Sequence, residues 1–252
     1  MISAAKAKLI HSLTRKKARL ESGLFVAEGP KLVGELGSSF KCVYLAATRE
    51  WIDSCYTGFS PEVQCVTREE LCRASLLQSP QEVLALFRIP ERECSMNIAG
   101  KELCLALDGV QDPGNLGTIV RIADWFGISH IFCSPETADV FNPKAIQATM
   151  GAAARVSLHY IDLKAGIESL PKGIPVYGTF MDGTDIYKSE LSENGIIVMG
   201  NEGNGISPEI RQLVSKRIGI PSFPTGRPTS ESLNVAVATA IVCSEFRRKT
   251  LR

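Results

Sequence analysis

The chain alternates between short, almost wholly apolar runs and stretches in which apolar residues recur every three or four positions. The runs read as buried strands and the periodic stretches as amphipathic helices. In the second half the strand candidates are Leu103–Leu107, His130–Ser134, Val156–Tyr160, Val176–Phe180, Ile196–Met199 and Arg217–Ile220. Helical spacing falls near 115–126, 143–150, 162–170, 208–216 and 233–248. This alternation predicts an α/β fold with a mostly parallel sheet covered by helices, its functional loops at the carboxyl ends of the strands. The first half reads as a small mixed α/β unit, with helices over 3–20, 29–37 and 68–76 and strands at Lys41–Ala47 and near Val63–Thr67. A polar stretch at 88–101, broken by Pro90 and Gly100, separates the halves. The pattern therefore predicts domains at 1–95 and 103–252 joined by a linker at 96–102.

Composition narrows the class. With 252 residues, 44% hydrophobic and 22% charged, the chain has ordinary globular usage. No apolar run approaches the ~18–20 residues of a membrane span, and the basic stretch Met1–Lys17 lacks the apolar core of a secretion signal. The eight cysteines include no Cys-x-x-Cys pair and several sit inside apolar runs. They read as reduced, small hydrophobes in a cytoplasmic protein. The three histidines are too scattered for a metal motif, so no metal is expected. Net charge is only +1, but residues 1–20 carry Lys6, Lys8, Arg15, Lys16, Lys17 and Arg19 without an acid. A second basic group, Arg247, Arg248, Lys249 and Arg252, lies at the other end. Such clusters suit a polyanion such as RNA, or serve simply as solvated ends.

Three glycine-rich loops carry the candidate chemistry. In the first, Leu107-Asp-Gly-Val-Gln-Asp-Pro-Gly-Asn-Leu-Gly-Thr-Ile-Val-Arg121, a strand runs into a glycine turn and then a helix. Asn115 is the expected N-cap, and Arg121 stands on a helix face with Thr118 and Trp125. The loop is not a Walker A motif, because Asn115 and Leu116 stand where Lys and Ser/Thr are required. The second, Ile196-Ile-Val-Met-Gly-Asn-Glu-Gly-Asn-Gly-Ile-Ser-Pro208, is a buried strand, a turn holding Glu202, and a helix start. Its order is G-x-x-G-x-G rather than the dinucleotide G-x-G-x-x-G, which argues against a Rossmann oxidoreductase. The third leads from Ile218-Gly-Ile-Pro through a Pro/Gly/Ser-rich segment to Ser232-Leu-Asn234, where Ser232 or Asn234 can cap a helix rich in small residues.

In this order and at these spacings, the three loops resemble the motifs of the SpoU (TrmH-like) RNA ribose 2′-O-methyltransferases of the SPOUT superfamily, matching Asp108–Arg121, Gly200–Ser207 and Ile220–Val235. The resemblance spans about 103–248. The stretch Arg15–Lys31 is similar, less specifically, to the family's L30e-like substrate-binding domain. The resemblance implies a C-terminal trefoil knot, which sequence rules alone would reject. It also implies a homodimer through the knotted domain, and S-adenosylmethionine held in the knot loops without a metal. By the same resemblance, Gly200, Ile220, Leu233 and Thr179 would bind the cofactor, and Asn115, Arg121, Glu202, Ser232 and Asn234 would form the catalytic set. An arginine is a poor base, so Arg121 is expected to bind phosphate and steady a developing alkoxide. Glu202 is the more conventional proton acceptor, with Ser232 and Asn234 orienting groups and Asn115 supporting the arginine or its loop. Arg15, Lys16, Lys17 and Arg19 would contact RNA phosphates. Ribosomal RNA is the expected substrate because of the RNA-capture domain; transfer RNA, or a role as a non-catalytic RNA-binding module, are the alternatives. The ten residues between Pro221 and Ser232 are a departure, being more than is common in the family.

Overall fold

The computed structural model describes residues 1–91, 95–224, 230 and 232–250, the side chains of 249 and 250 excepted. Cys94, most of the 222–231 loop and the last two residues lie outside that set. The chain divides into two compact units, one formed by Met1–Glu91 with Asp139–Arg155, the other by Arg92–Ala138 with Val156–Arg252. The first unit is thus discontinuous in sequence, whereas the pattern of breakers divides the chain at a single linker.

In the first unit, β1 (Leu24–Glu28), β2 (Cys42–Ala47), β3 (Val63–Cys65) and β4 (Val83–Arg88) form a sheet of order β1-β4-β2-β3. Only the β2–β3 pair is parallel. Strands β1 and β4 are apolar on both faces, because both faces are covered. One face packs Phe25, Ala27, Leu45, Phe87 and Ala85 against α3 (Pro30–Gly37), α4 (Arg49–Cys55) and Ile146 of a helix at Pro143–Ala148. The other packs Val26, Tyr44, Leu84 and Leu86 against Ile10 of α1 (Ala4–Ser12) and Leu71 of α5 (Arg68–Ala74). Each Val, Leu, Ile or Phe side chain among them contributes ~1.5–3 kcal/mol on burial.

The single helix expected over 3–20 is two, α1 and α2 (Lys16–Ser22). Arg19 is responsible. Its guanidinium is 2% exposed and donates to the carbonyls of Leu13 and Thr14 at 2.7 and 3.1 Å, using the backbone of the break. It also meets Asp139 Oδ2 from Nε at 2.9 Å and from Nη2 at 2.6 Å. Arg19, grouped with the RNA-contacting cations on sequence, is therefore committed to the interior of its own unit; Arg15, Lys16 and Lys17 are exposed.

In the second unit, β5 (Leu103–Asp108), β6 (His130–Cys133), β7 (Ser157–Tyr160), β8 (Val176–Asp185), β9 (Gly195–Gly200) and β10 (Lys216–Gly219) form one sheet of order β10-β8-β9-β5-β6-β7. Every pairing is parallel. The helices α6 (Pro113–Trp125), α8 (Leu163–Glu168), α9 (Pro208–Leu213) and α10 (Val235–Thr250) pack on its faces, α7 being the Pro143–Ala148 helix of the first unit. One face buries Cys104, Ala106, Phe132, Ile196 and Val198 with Leu163, Ile167 and Ile210 of α8 and α9. On the α10 side, Phe246 stands edge-on to Tyr177 with ring centroids 4.9 Å apart, and α10 lies against α6. The chain leaves β5 toward β6 and β7, then returns to place β8 and β9 on β5's other side. That reversal makes the carboxyl ends of β5 and β9 a topological switch point, the position where open α/β sheets bind ligands.

Four of the seven described cysteines, Cys42, Cys104, Cys133 and Cys243, are buried, and Cys55, Cys65 and Cys72 are exposed; all seven are free. Burial pushes the Cys243 thiol up to about 12 and raises Cys133 as well, so both are inert at neutral pH. Among the described residues no helix is long and apolar enough to cross a membrane.

Candidate active site

The β5 and β9 loops are tied together before any catalytic group is considered. Asp108 ends β5 opposite Gly200 of β9. Its buried carboxylate accepts the Ser207 N–H at 2.7 Å, which fixes the start of α9. Asn201 donates from Nδ2 to the Gly109 carbonyl at 2.7 Å, while its Oδ1 accepts the N–H groups of Gly203 and Asn204. The backbones of Asn201 and Gly205 exchange two hydrogen bonds of 2.9 Å, closing the turn that carries Glu202. A side chain at Gly200 would place its Cβ 2.3 Å from the backbone of Gly205 and Ile206, so only glycine permits this closure. Asp108 and Asn201 were not singled out from sequence. Their signals were an acid at a strand end and an Asn at the head of a glycine turn, where its side chain can bond the backbone two residues on.

The cap of α6 is Asp112, not Asn115: its carboxylate accepts the Asn115 N–H at 2.8 Å, and Pro113 follows at the first helical position. That frees the Asn115 side chain for another task. Asn234 caps α10, its Oδ1 accepting from Ala236 and Val237 N–H at 3.0 and 3.2 Å. Its amide nitrogen donates to Asn115 Oδ1 at 3.0 Å, and Asn115 Nδ2 donates to Glu202 Oε1 at 3.0 Å. The direction of this relay is forced. The capping bonds occupy the Asn234 oxygen, so its nitrogen must face Asn115, and Asn115 must then offer its own nitrogen to the carboxylate. One chain of hydrogen bonds thus joins all three glycine-rich loops.

Arg121 lies two turns along α6 from Asn115, roughly 9 Å by helix rise. It is exposed and makes no hydrogen bond or ion pair among the described residues, in contrast to Arg19. Trp125, on the same side of the helix, is 84% exposed. Ser232 is exposed two residues before the cap of α10 and has no side-chain hydrogen bond among the described residues.

The other four candidates lie on strand ends or loops. Thr179 donates to the Val198 carbonyl at 3.0 Å, joining β8 to β9. Gly178 is in register with both Val198 and Arg217, so Thr179, Gly200 and Ile220 all lie toward the carboxyl ends of three adjacent parallel strands. Leu233 is 48% exposed at the entrance to α10. Between β8 and β10 the register skips residues 179–183. There a Cβ on Gly183 would meet the Ile218 backbone at 2.3 Å, and one on Gly219 would meet the Phe180 carbonyl oxygen at 2.7 Å. These are backbone-to-backbone approaches that no larger residue allows.

The family model for the SpoU rRNA Methylase family matches residues 102–244. The chain belongs to that family. An MRM3-like substrate binding domain matches residues 4–85. Over 242 residues, 93% of each chain, the SpoU-family sequence here is 29% identical to the 23S rRNA (guanosine(2553)-2′-O)-methyltransferase RlmP of Bacillus subtilis. It superposes on a solved TrmH-family putative RNA methyltransferase from Porphyromonas gingivalis with TM-score 0.88, 42% identity and 99% of both chains covered. An AdoMet-bound rRNA methyltransferase from Sinorhizobium meliloti follows, with TM-score 0.84, 30% identity, and 100% of this chain and 98% of that one covered. The fold expected from the resemblance, an α/β SPOUT-type catalytic unit preceded by a small substrate-binding unit, is the fold found.

Proposed function

We propose that this protein methylates a ribose 2′-hydroxyl of ribosomal RNA, using S-adenosylmethionine. The observation that carries the reading is the Asn234–Asn115–Glu202 relay at the carboxyl ends of β5 and β9, in a chain similar over almost its whole length to a 23S rRNA 2′-O-methyltransferase.

The residues present fit the cofactor. The Gly200–Gly205 turn and the Gly183–Gly219 approach bring backbone segments together at the strand ends, where main-chain N–H and C=O groups can meet a bulky zwitterion. Thr179, Gly200, Ile220 and Leu233 would hold it. When bound, it supplies a methyl group already made electrophilic by the sulfonium charge.

The chain's own residues then have three tasks. Arg121, which has no hydrogen bond or ion pair among the described residues, binds a phosphate next to the target ribose and stabilises the negative charge that develops on the 2′-oxygen. A guanidinium stays protonated in proteins, so it is not the base. Glu202 accepts the proton: Asn115 occupies one side of its Oε1 and fixes its orientation, which leaves the second oxygen for the hydroxyl. Asn234 and Asn115 set that orientation, and Ser232 orients groups at the entrance of α10.

Residues 1–95 capture the RNA, with Arg15, Lys16 and Lys17 on its phosphates, and 103–252 form the catalytic domain. Such contacts position RNA without reading its sequence. The close glycine crossings and the return of α10 onto α6 support threading of the C-terminal segment as a trefoil knot. Trp125, Leu233 and Val237, 84%, 48% and 50% exposed, support a homodimer in which a second copy covers them. A ribosomal RNA substrate supports a cytoplasmic location.

Calorimetry with S-adenosylmethionine tests the assignment of Arg121. Arg121→Ala should bind the cofactor within about threefold of wild type yet transfer no methyl group. A large loss of cofactor affinity would move Arg121 to the cofactor site.

A further inference from the structure

The first unit carries an open cavity of about 660 Å³, within the roughly 300–1,000 Å³ of sites that bury a small organic group. Every residue lining it belongs to Met1–Glu91 or Asp139–Arg155, so it is separate from the catalytic site. Its wall is apolar, formed by Val26, Leu76, Leu77, Pro143 and Ala148. Against that wall stand three amide side chains, Gln78, Asn142 and Gln147; the two glutamines carry both donors and an acceptor, while the Asn142 oxygen already accepts the Lys144 N–H at 2.9 Å.

The chemistry inside is set by Glu28. Val26 and Glu28 are two apart on β1 and so share a face of the sheet. Glu28 is 4% exposed, a carboxylate among the apolar residues of that face. Its Oε1 accepts the Leu76 N–H at 2.8 Å and its Oε2 accepts the Ser75 hydroxyl. Those bonds hold the 75–78 segment across the end of β1. A carboxylate has about four acceptor positions, so roughly two remain for a ligand N–H. Lys144, exposed, completes the lining. The rim has the opposite character: it includes Thr14, directly before Arg15, Lys16 and Lys17, whose side chains are exposed.

Resting on the reading that this protein acts on RNA, we propose that the cavity receives one unstacked nucleobase of the substrate RNA, the base turning an N–H edge to Glu28 and the adjoining phosphates lying on Arg15, Lys16 and Lys17. An apolar wall with amides that both donate and accept matches the face and edges of a base. Single-stranded loops with splayed bases are where RNA is read by sequence. The cavity would then select which RNA loop is presented, while the site at β5 and β9 performs the transfer.

The test uses the full chain and in vitro-transcribed, unmodified 23S rRNA. Ala148→Trp fills the cavity, and the double variant Gln78→Ala, Gln147→Ala removes two amides from partly exposed positions without filling it. Circular dichroism and S-adenosylmethionine affinity verify that each variant is folded. RNA affinity should fall by roughly tenfold or more in Ala148→Trp, which excludes the base, and measurably in the double variant, each lost hydrogen bond being worth about 0.5–1.5 kcal/mol, with cofactor affinity unchanged. Wild-type affinity in both would overturn the proposal, as would crosslinks from 4-thiouridine-substituted rRNA that avoid residues 76–78 and 142–148. The wild-type sample is assayed for methyl transfer in parallel. Transfer with unaltered RNA affinity in the variants sinks the cavity and keeps the enzyme. Weakened RNA binding without any wild-type transfer sinks the enzyme and keeps the cavity.

Discussion

The Asn234–Asn115–Glu202 relay can be broken in two ways that differ in sign. Asn115→Ala removes two side-chain hydrogen bonds, one neutral and one to a carboxylate. Each contributes about 0.5–1.5 kcal/mol when neutral and ~1.5–3 kcal/mol when charged, and partial exposure puts both near the lower ends. The stability of the catalytic unit should therefore fall by only about 1–2 kcal/mol. Its kcat should fall by more than tenfold, because Glu202 loses the group that orients it. Asn115→Asp is nearly isosteric but sets a second carboxylate 3.0 Å from Glu202 Oε1. Two unit charges at that distance repel by ~1.4 kcal/mol at a water-like dielectric and ~5.5 kcal/mol at an effective value of 20; solvent access at this site favours the smaller figure. The Asp variant should thus be slower than the Ala variant at pH 8, and the gap should close as pH falls and the pair takes up a shared proton. Single-turnover methyl transfer at saturating RNA and cofactor, measured from pH 5.5 to 8.5, reads this out. Equal rates for Asp and Ala at high pH, or wild-type kcat in both, would refute the assignment of Glu202 as an oriented proton acceptor.

Three further outcomes follow from the first unit. Arg19→Ala leaves Asp139 without its ion-pair partner and the Leu13 and Thr14 carbonyls without their donor, so it should cost ~3–5 kcal/mol in denaturant unfolding; a change below about 1 kcal/mol would return Arg19 to the RNA-contacting cations. Burial holds the Glu28 carboxyl above its ordinary 4.5, so the folded chain keeps this proton to higher pH than the unfolded one. Glu28 therefore makes stability decline as pH rises from about 4.5 through the raised folded value and leaves it flat above. Glu28→Gln, whose amide can still serve Leu76 and Ser75, should remove that decline in thermal unfolding across this window, and an unchanged pH dependence would contradict it. Deleting residues 1–95 strips Ile146 and Ala153 of the core they join, so the truncated chain should self-associate in sedimentation rather than remain a well-behaved catalytic fragment.

The catalytic unit was largely readable because its strands are short apolar runs bounded by glycine, and its helices keep a 3.6-residue period. All six of its strands were anticipated, five to within two residues at each end, while β8 runs on to Asp185 past the expected Phe180. The first unit was harder. Leu24–Ala27 and Val83–Phe87 are apolar without a break, so period-two alternation gives no signal, and the central strand β4 was missed with its neighbour β1. The break between α1 and α2 carries no Pro or Gly; a long-range pairing of Arg19 with Asp139 sets it, and no local pattern reports that. Membership of Asp139–Arg155 in the first unit is equally non-local. At the site, Asn115 enters the candidate set through the family resemblance, while its residue type near a helix start also predicts the cap; Asp112, three residues earlier, has the capping geometry instead. Its own amide is used across loops that sequence separation does not relate.

The central claim is most directly tested with S-adenosylmethionine carrying a labelled methyl group. Purified protein would be incubated separately with unmodified 23S rRNA and unmodified transfer RNA, with Arg121→Ala as control, and the RNA digested to nucleosides. The account predicts label in a 2′-O-methylnucleoside from the ribosomal RNA and none with the variant. Label confined to transfer RNA, label on a base, or equal incorporation by wild type and Arg121→Ala would contradict it.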